Sequence, residues 1–206
     1  MAIKINPKTS ALIIQDLQND VIIEGGAFTD SGAPKHAKAQ NVVANVKALA
    51  EAARKAGMAV IHVHFVVEPG APGLQLNAPL FRGIKDAKAM QRGTWGVKPA
   101  KGLEPKKGDI VVEKMRMNAF HGTNLETILK AHGIDTLVIS GAWTYFSIEH
   151  TARHAADSGY RAVVVTDGTS TVNDEWQNAG INYALQNIAE RVTCKAVAQA
   201  LGGKRR

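Results

Sequence analysis

The chain predicts an α/β domain built on a six-stranded, mostly parallel sheet with helices on both faces. Three observations predict it. Short apolar runs rich in Val and Ile recur along the sequence: 10–15, 58–65, 109–114, 136–140, 161–166 and a weaker 191–194. Runs that are continuously apolar, not alternating, suit parallel strands covered on both sides. Amphipathic stretches separate the runs, and a strand–helix–strand rhythm without internal repeat is the pattern of an α/β domain.

Each helical stretch carries its own signal. Residues 35–56 place Val42, Val43, Val46, Leu49 and Ala50 at helical spacing and stop before Gly57. Residues 123–132 open with Thr123 and Glu126, a capping-box spacing, and stop at Gly133. Residues 147–158 end before Gly159, residues 173–189 begin at Asn173 or Asp174, and a last short helix fills 195–201. The stretch 67–104 breaks the rhythm and holds Pro69, Pro72, Pro79 and Pro99, four of the seven prolines. A connection this long usually has a task, so it is expected to be partly helical and to lie near a site or interface. The whole of 1–206 is expected to form one domain, with 202–206 as a frayed tail.

Composition narrows the function. With 45 % apolar and 21 % charged residues, the 206-residue chain is ordinary globular material with enough length for a sizeable core. A single cysteine, Cys194, excludes a disulfide framework and any multi-cysteine metal centre. No run approaches the roughly 18 apolar residues of a membrane span, and MAIKINPKTS lacks the apolar middle of a signal peptide, so a cytoplasmic location without membrane association is expected. The net charge is 25 − 18 = +7, three of it in Lys204, Arg205 and Arg206. The rest is scattered, which fits a solvated surface better than a nucleic-acid-binding one and slightly favours an anionic small molecule as partner.

Ligands of open parallel sheets bind beyond the carboxyl ends of the strands. Asp16, Lys114 and Ser147 each stand just past such an end and can converge. A carboxylate, an ammonium and a hydroxyl at a helix start can supply a base, an electrostatic helper and a nucleophile, with helix N–H groups facing an oxyanion. The competing reading is a turn aspartate, a surface lysine and a helix cap. His62 and His64 share one strand face but lack a third ligand at suitable spacing, so pocket-lining or hydrogen-bonded histidines are expected, not a metal site. No glycine-rich phosphate loop follows the first strand, which argues against a dinucleotide or nucleoside-triphosphate cofactor. Cys194 is expected to be a buried, inert thiol.

The segments IIQDLQNDV (13–21), GTWG (93–96), VVEKMRMNAFHGTNLETILK (111–130) and VISGAWTYFSIEHTARHAADSGYRAVVVTDGTS (138–170) resemble, in order, the isochorismatase-like or cysteine hydrolase family. The likeness spans roughly residues 9–200. It implies a three-layer α/β/α, Rossmann-like sandwich and a homo-oligomer (dimer or tetramer); no cofactor is expected. Asp16 matches the family's aspartate and Lys114 its lysine. The resemblance also implies a cis peptide before Trp143, with the N–H groups of Trp143 and Ser147 forming an oxyanion hole.

The departure is at the nucleophile. Ser147 stands where the amidohydrolase members carry cysteine, and a serine hydroxyl needs a stronger base than a thiol does. It is an introduced replacement, a natural variant that attacks slowly or holds water, or a sign of the cysteine-free vinyl ether chemistry of true isochorismatases. The residues that follow, Glu149, Thr151 and Ala152, resemble the amidohydrolase pattern. Hydrolysis of a C–N bond in a small amide, ureide or carbamoyl compound is therefore expected. The alternatives are vinyl ether hydrolysis, or a catalytically impaired member or small-molecule binder. Gln18, His64, Trp95, Phe120 and Tyr145 are the expected pocket lining. HVHFVVEPGAPG lacks the aspartate and histidine spacing of the metal-binding nicotinamidase branch, so no metal is expected.

Overall fold

The computed structural model describes residues 3–202. Six parallel strands form one sheet: β1 Ser10–Gln15, β2 Ala59–Phe65, β3 Ile110–Lys114, β4 Thr136–Ala142, β5 Arg161–Ser170 and β6 Glu190–Val192. Their order is β3-β2-β1-β4-β5-β6, so the direction of winding reverses between β1 and β4. The crevice at such a reversal, beyond the carboxyl ends, is where this architecture places ligands.

Eight helices accompany the strands among the described residues: α1 Asn19–Ile22, α2 Ala33–Ala39, α3 Val42–Ala56, α4 Pro79–Asp86, α5 Leu125–Ala131, α6 Glu149–Asp157, α7 Asp174–Asn178 and α8 Cys194–Gly202. Alternate residues of the strands feed two cores. Leu12, Ile14, Val138 and Val163 pack with Val46, Leu49 and Val197 of α3 and α8 on one face. Ala11, Ile13, Leu137 and Ile139 pack with Leu125, Leu129 and Ala152 of α5 and α6 on the other. Both faces of β1 and β4 are buried, which explains their predominantly apolar sequence. No helix of the described residues is long and apolar enough to cross a membrane.

Several expected elements are divided. The 35–56 helix is two helices, because Asn41 takes a left-handed backbone (φ 55°) that its short polar side chain tolerates. Thr123 does not cap in box fashion: its hydroxyl donates to the Ala119 carbonyl, and Glu126 pairs with Lys130. The 147–158 helix is preceded by a wide π-type turn, Thr144–Ile148, that contains Ser147. The 173–189 helix stops at Asn178 and continues as a second such turn, Ala179–Ala184, with the Asn173 side chain accepting from the Trp176 N–H as foreseen for a cap. Cys194 begins α8 instead of ending a strand, and Gly202 closes that helix; the rest of the expected tail lies outside the described residues. Cys194 is buried with its pKa raised, chiefly by burial, which fits an inert thiol.

Gly141 shows how closely the two central strands meet. It sits at φ +140°, and a Cβ there would collide with the Gln15 carbonyl oxygen and lie 2.8 Å from Ile148 Cδ1. Backbone atoms of a central strand cannot yield. Gly141→Ala is expected to cost about 2 kcal/mol or more, lowering the melting temperature by about 4 °C or more at this chain length. Calorimetric melting of both proteins checks this.

Candidate active site

The carboxyl ends of β1, β3 and β4 bring Asp16, Lys114 and Ser147 to one place. Asp16 follows β1 in a left-handed conformation (φ 56°), a region that non-glycine residues occupy mainly where their surroundings fix them. Its N–H donates to the Val63 carbonyl at 2.9 Å, which ties the turn to β2. Lys114 ends the edge strand β3 and reaches across β2, donating to Asp16 Oδ2 at 2.7 Å and to the Arg116 carbonyl at 2.8 Å. Its ammonium also lies 4.8 Å from the centroid of the Phe65 ring.

Both charges are buried, Asp16 at 4 % and Lys114 at 3 % exposure. Burial pushes the Asp16 carboxyl above the usual aspartate range, while Lys114, and more weakly Ser147 and Gln15, pull it back. Burial likewise pushes the Lys114 ammonium below its usual range against the attraction of Asp16. The second oxygen, Asp16 Oδ1, is buried with no hydrogen-bond partner. A raised carboxylate with a free oxygen is suited to taking up a proton.

Ser147 is 8 % exposed and lines the same cavity as Asp16. The peptide Ala142–Trp143 is cis, as the resemblance implied. Gln15 fixes the floor: its side-chain amide donates to the carbonyls of Met117 (2.9 Å) and Ser147 (3.3 Å), and its oxygen accepts from the Thr151 hydroxyl (3.0 Å). Thr144 is tied to α7 by a 2.6 Å bond to Gln177.

The cavity measures about 50 Å³. Apart from Asp16 and Ser147 its walls are apolar or aromatic. Val21 and Phe28 come from α1 and the loop after it, Leu80 and Ile84 from α4, Met90 from the long excursion, Phe65 from the end of β2 and Met117 from beyond β3. Ala142 at the end of β4 and Trp143 and Phe146 from the turn after it complete the wall. Trp143 meets Phe28 edge to face at 5.6 Å.

The five residues expected to line the pocket stand elsewhere. Gln18 is a brace: its amide donates to the Phe65 (2.9 Å) and Val97 (2.7 Å) carbonyls, and its oxygen accepts from the Phe65 N–H (2.8 Å). His64 packs against His62 at 5.9 Å, and burial lowers its pKa to about 4, leaving it neutral. His62 bonds Asp109, and no cluster of metal-ligating side chains occurs among the described residues. Trp95 is half-exposed on the excursion, with its carbonyl accepting from Asn19. Phe120 stacks on His154 in the second core. Tyr145 stands outside the cavity against Trp176. The walls come instead from Phe28, Leu80, Ile84, Met90, Met117 and Phe146, ordinary apolar residues with no motif to mark them.

Asp20 holds these walls together. Its carboxylate accepts from the N–H groups of Ala27 (3.0 Å) and Met90 (2.6 Å), and its backbone accepts from Phe28 and donates to Gly96. A Cβ on Gly96 would overlap the Asp20 carboxylate, which accounts for the last glycine of GTWG.

A buried carboxylate–ammonium pair beside a hydroxyl, at the reversal point of a parallel sheet, is the equipment of a small-molecule hydrolase. The chain belongs to the isochorismatase family, whose Isochorismatase domain model matches residues 10–196. It is 30 % identical to the ureidoacrylate amidohydrolase RutB of Rhizobium rhizogenes over 96 % of this chain and 87 % of that one. An isochorismatase family protein from Desulfovibrio vulgaris superposes with a TM-score of 0.81 at 29 % identity, covering 95 % of this chain and 99 % of that one. N-carbamoylsarcosine amidase from Thermoplasma acidophilum does so at 0.70 and 26 % identity, covering 90 % and 96 %.

Two measurements check this geometry. In a carbon NMR titration the Asp16 carboxyl is expected to protonate above the ordinary aspartate range. Lys114→Met removes the strongest influence holding that pKa down, so the transition moves to higher pH still; a downward move contradicts the arrangement. Asp20→Asn keeps one acceptor oxygen for two N–H donors and is expected to cost about 1–3 kcal/mol in urea unfolding.

Proposed function

We propose that the protein hydrolyses the C–N bond of a small amide, ureide or carbamoyl compound, without a cofactor. The observation that carries this reading is the unpartnered Asp16 Oδ1 in the same cavity as Ser147, with Lys114 on the other carboxylate oxygen. The likeness to an amidohydrolase over 96 % of the chain supports it.

In this mechanism Asp16 Oδ1 takes the proton of the attacking group, the Ser147 hydroxyl or a water that it holds. The new bond to the carbonyl carbon puts negative charge on the carbonyl oxygen, which faces the N–H groups of Trp143 and Ser147. Lys114 keeps Asp16 ionised before attack and oriented throughout. Asp16 then returns the proton to the leaving nitrogen as the C–N bond breaks. Where Ser147 attacked, a water activated in the same way by Asp16 hydrolyses the resulting ester or carbamate. The net reaction consumes one water and releases an amine or ammonia and an acid.

Burial answers the difficulty that serine poses. A carboxylate pushed upward in pKa is a stronger base than a solvated one, and a hydroxyl needs such a base more than a thiol does. The homo-oligomer and the cytoplasmic location implied by the family resemblance and sequence go with this reading; sedimentation and cell fractionation test them.

Ammonia release from a panel of small amides, ureides and carbamoyl compounds is the test. Release is expected, and Ser147→Ala and Asp16→Asn should each lower kcat by about a hundredfold or more. Activity should fall on the acid side as Asp16 protonates, with that limb above the ordinary aspartate range because its pKa is raised. Silence from both the protein and Ser147→Cys would defeat amide hydrolysis and favour vinyl ether chemistry.

A further inference from the structure

Resting on the amide-hydrolase reading, we infer that the part of the substrate beyond the scissile amide is uncharged and apolar, a short alkyl or alkenyl chain and not a carboxylate. Asp16 is the one formally charged group in the cavity wall, and it is neutralised at 2.7 Å by Lys114, which itself donates to the Arg116 carbonyl. No cation of the wall is left to receive a substrate carboxylate.

None of the arginines of the neighbouring segments lines the cavity. Arg116 lies over the Phe81 ring at 4.3 Å and donates to the Gln75 carbonyl and side chain. Arg92 is held between Glu68 and Glu113, and Arg82 donates to the Leu76 carbonyl. The rest of the wall includes Leu80, Ile84, Met90 and Met117 with aromatic neighbours. An anion seated there loses its water and meets no cation, whereas an alkyl chain gains apolar contact that the flexible methionines can mould.

The cavity is small, about 50 Å³, and its charged and hydroxyl groups are confined to Asp16 and Ser147. That division suits an amide head placed on Asp16 and Ser147 with a short tail against α4. It sets this chain apart from ureidoacrylate and N-carbamoylsarcosine, the carboxylates in the names of its relatives. It also reverses the slight preference for an anionic partner drawn from the net charge of +7, because that charge lies outside the cavity.

The experiment compares butyramide and N-propylurea with their carboxylated counterparts, succinamate and N-carbamoyl-β-alanine. Binding is measured by calorimetry on Ser147→Ala, and ammonia release on the unaltered protein. The neutral member of each pair is expected to bind at least tenfold more tightly and to show at least tenfold higher kcat/KM. Leu80→Arg, which adds a cation to the rim, should reverse the order in binding. Equal or tighter binding of the carboxylates to Ser147→Ala, or no binding of any of the four, overturns the inference. Selective binding of the neutral pair without ammonia from the unaltered protein or Ser147→Cys upholds the apolar pocket while defeating amide hydrolysis, so the two failures are distinguishable.

Discussion

The contact between Lys114 and Asp16 is the constraint on which the site depends. It joins the end of an edge strand to the end of a central one across the intervening β2, and it does so where neither group meets bulk water. Two opposite charges buried together offset part of each other's desolvation; either alone would be driven to its neutral form. The pair therefore keeps a carboxylate available in a wall that would otherwise protonate it. It also occupies one oxygen of that carboxylate and leaves the other free for chemistry.

The surroundings of the pair are arranged to keep it dry and fixed. Phe65 covers the ammonium, Gln18 locks Phe65 to the excursion through three hydrogen bonds, and Asp20 draws Phe28 and Met90 against the opening. Gln15 performs the same service below, joining the segment after β3 to the turn after β4. These buried polar side chains each satisfy several backbone groups from segments distant in sequence. They explain why the long 67–104 stretch, poor in regular structure, can form a wall of definite shape.

The turn after β4 connects packing to chemistry. Gly141 lets β4 lie against β1 at its last residues, and the π-type turn then carries Ser147 over the crevice instead of directly into α6. Thr144 and Gln177 tether that turn to α7, so the hydroxyl is placed by hydrogen bonds and by the sheet together. In the proposed mechanism such support from rigid elements is what Ser147 requires, since a small displacement of an attacking group is costly to rate.

The sequence by itself determined the sheet, the strand positions and the convergence of Asp16, Lys114 and Ser147, because apolar period, strand ends and the resemblance are all local or collinear signals. The cap at Asn173 and the cis peptide before Trp143 were legible for the same reason. Tertiary structure alone decided the rest. Asn41 divides one helical pattern into two, and residues 144–148 widen into a π-type turn, through backbone choices that apolar spacing does not encode. The pocket lining was not legible either. Gln18, Trp95, Phe120 and Tyr145 were conspicuous by chemistry yet serve as brace or packing, while Leu80, Ile84, Met90 and Met117 are indistinguishable in sequence from core residues. What makes them a wall is the fold of a long excursion that pairs with the segment after β1, and what makes their apolarity informative is that no cation stands among the lining residues.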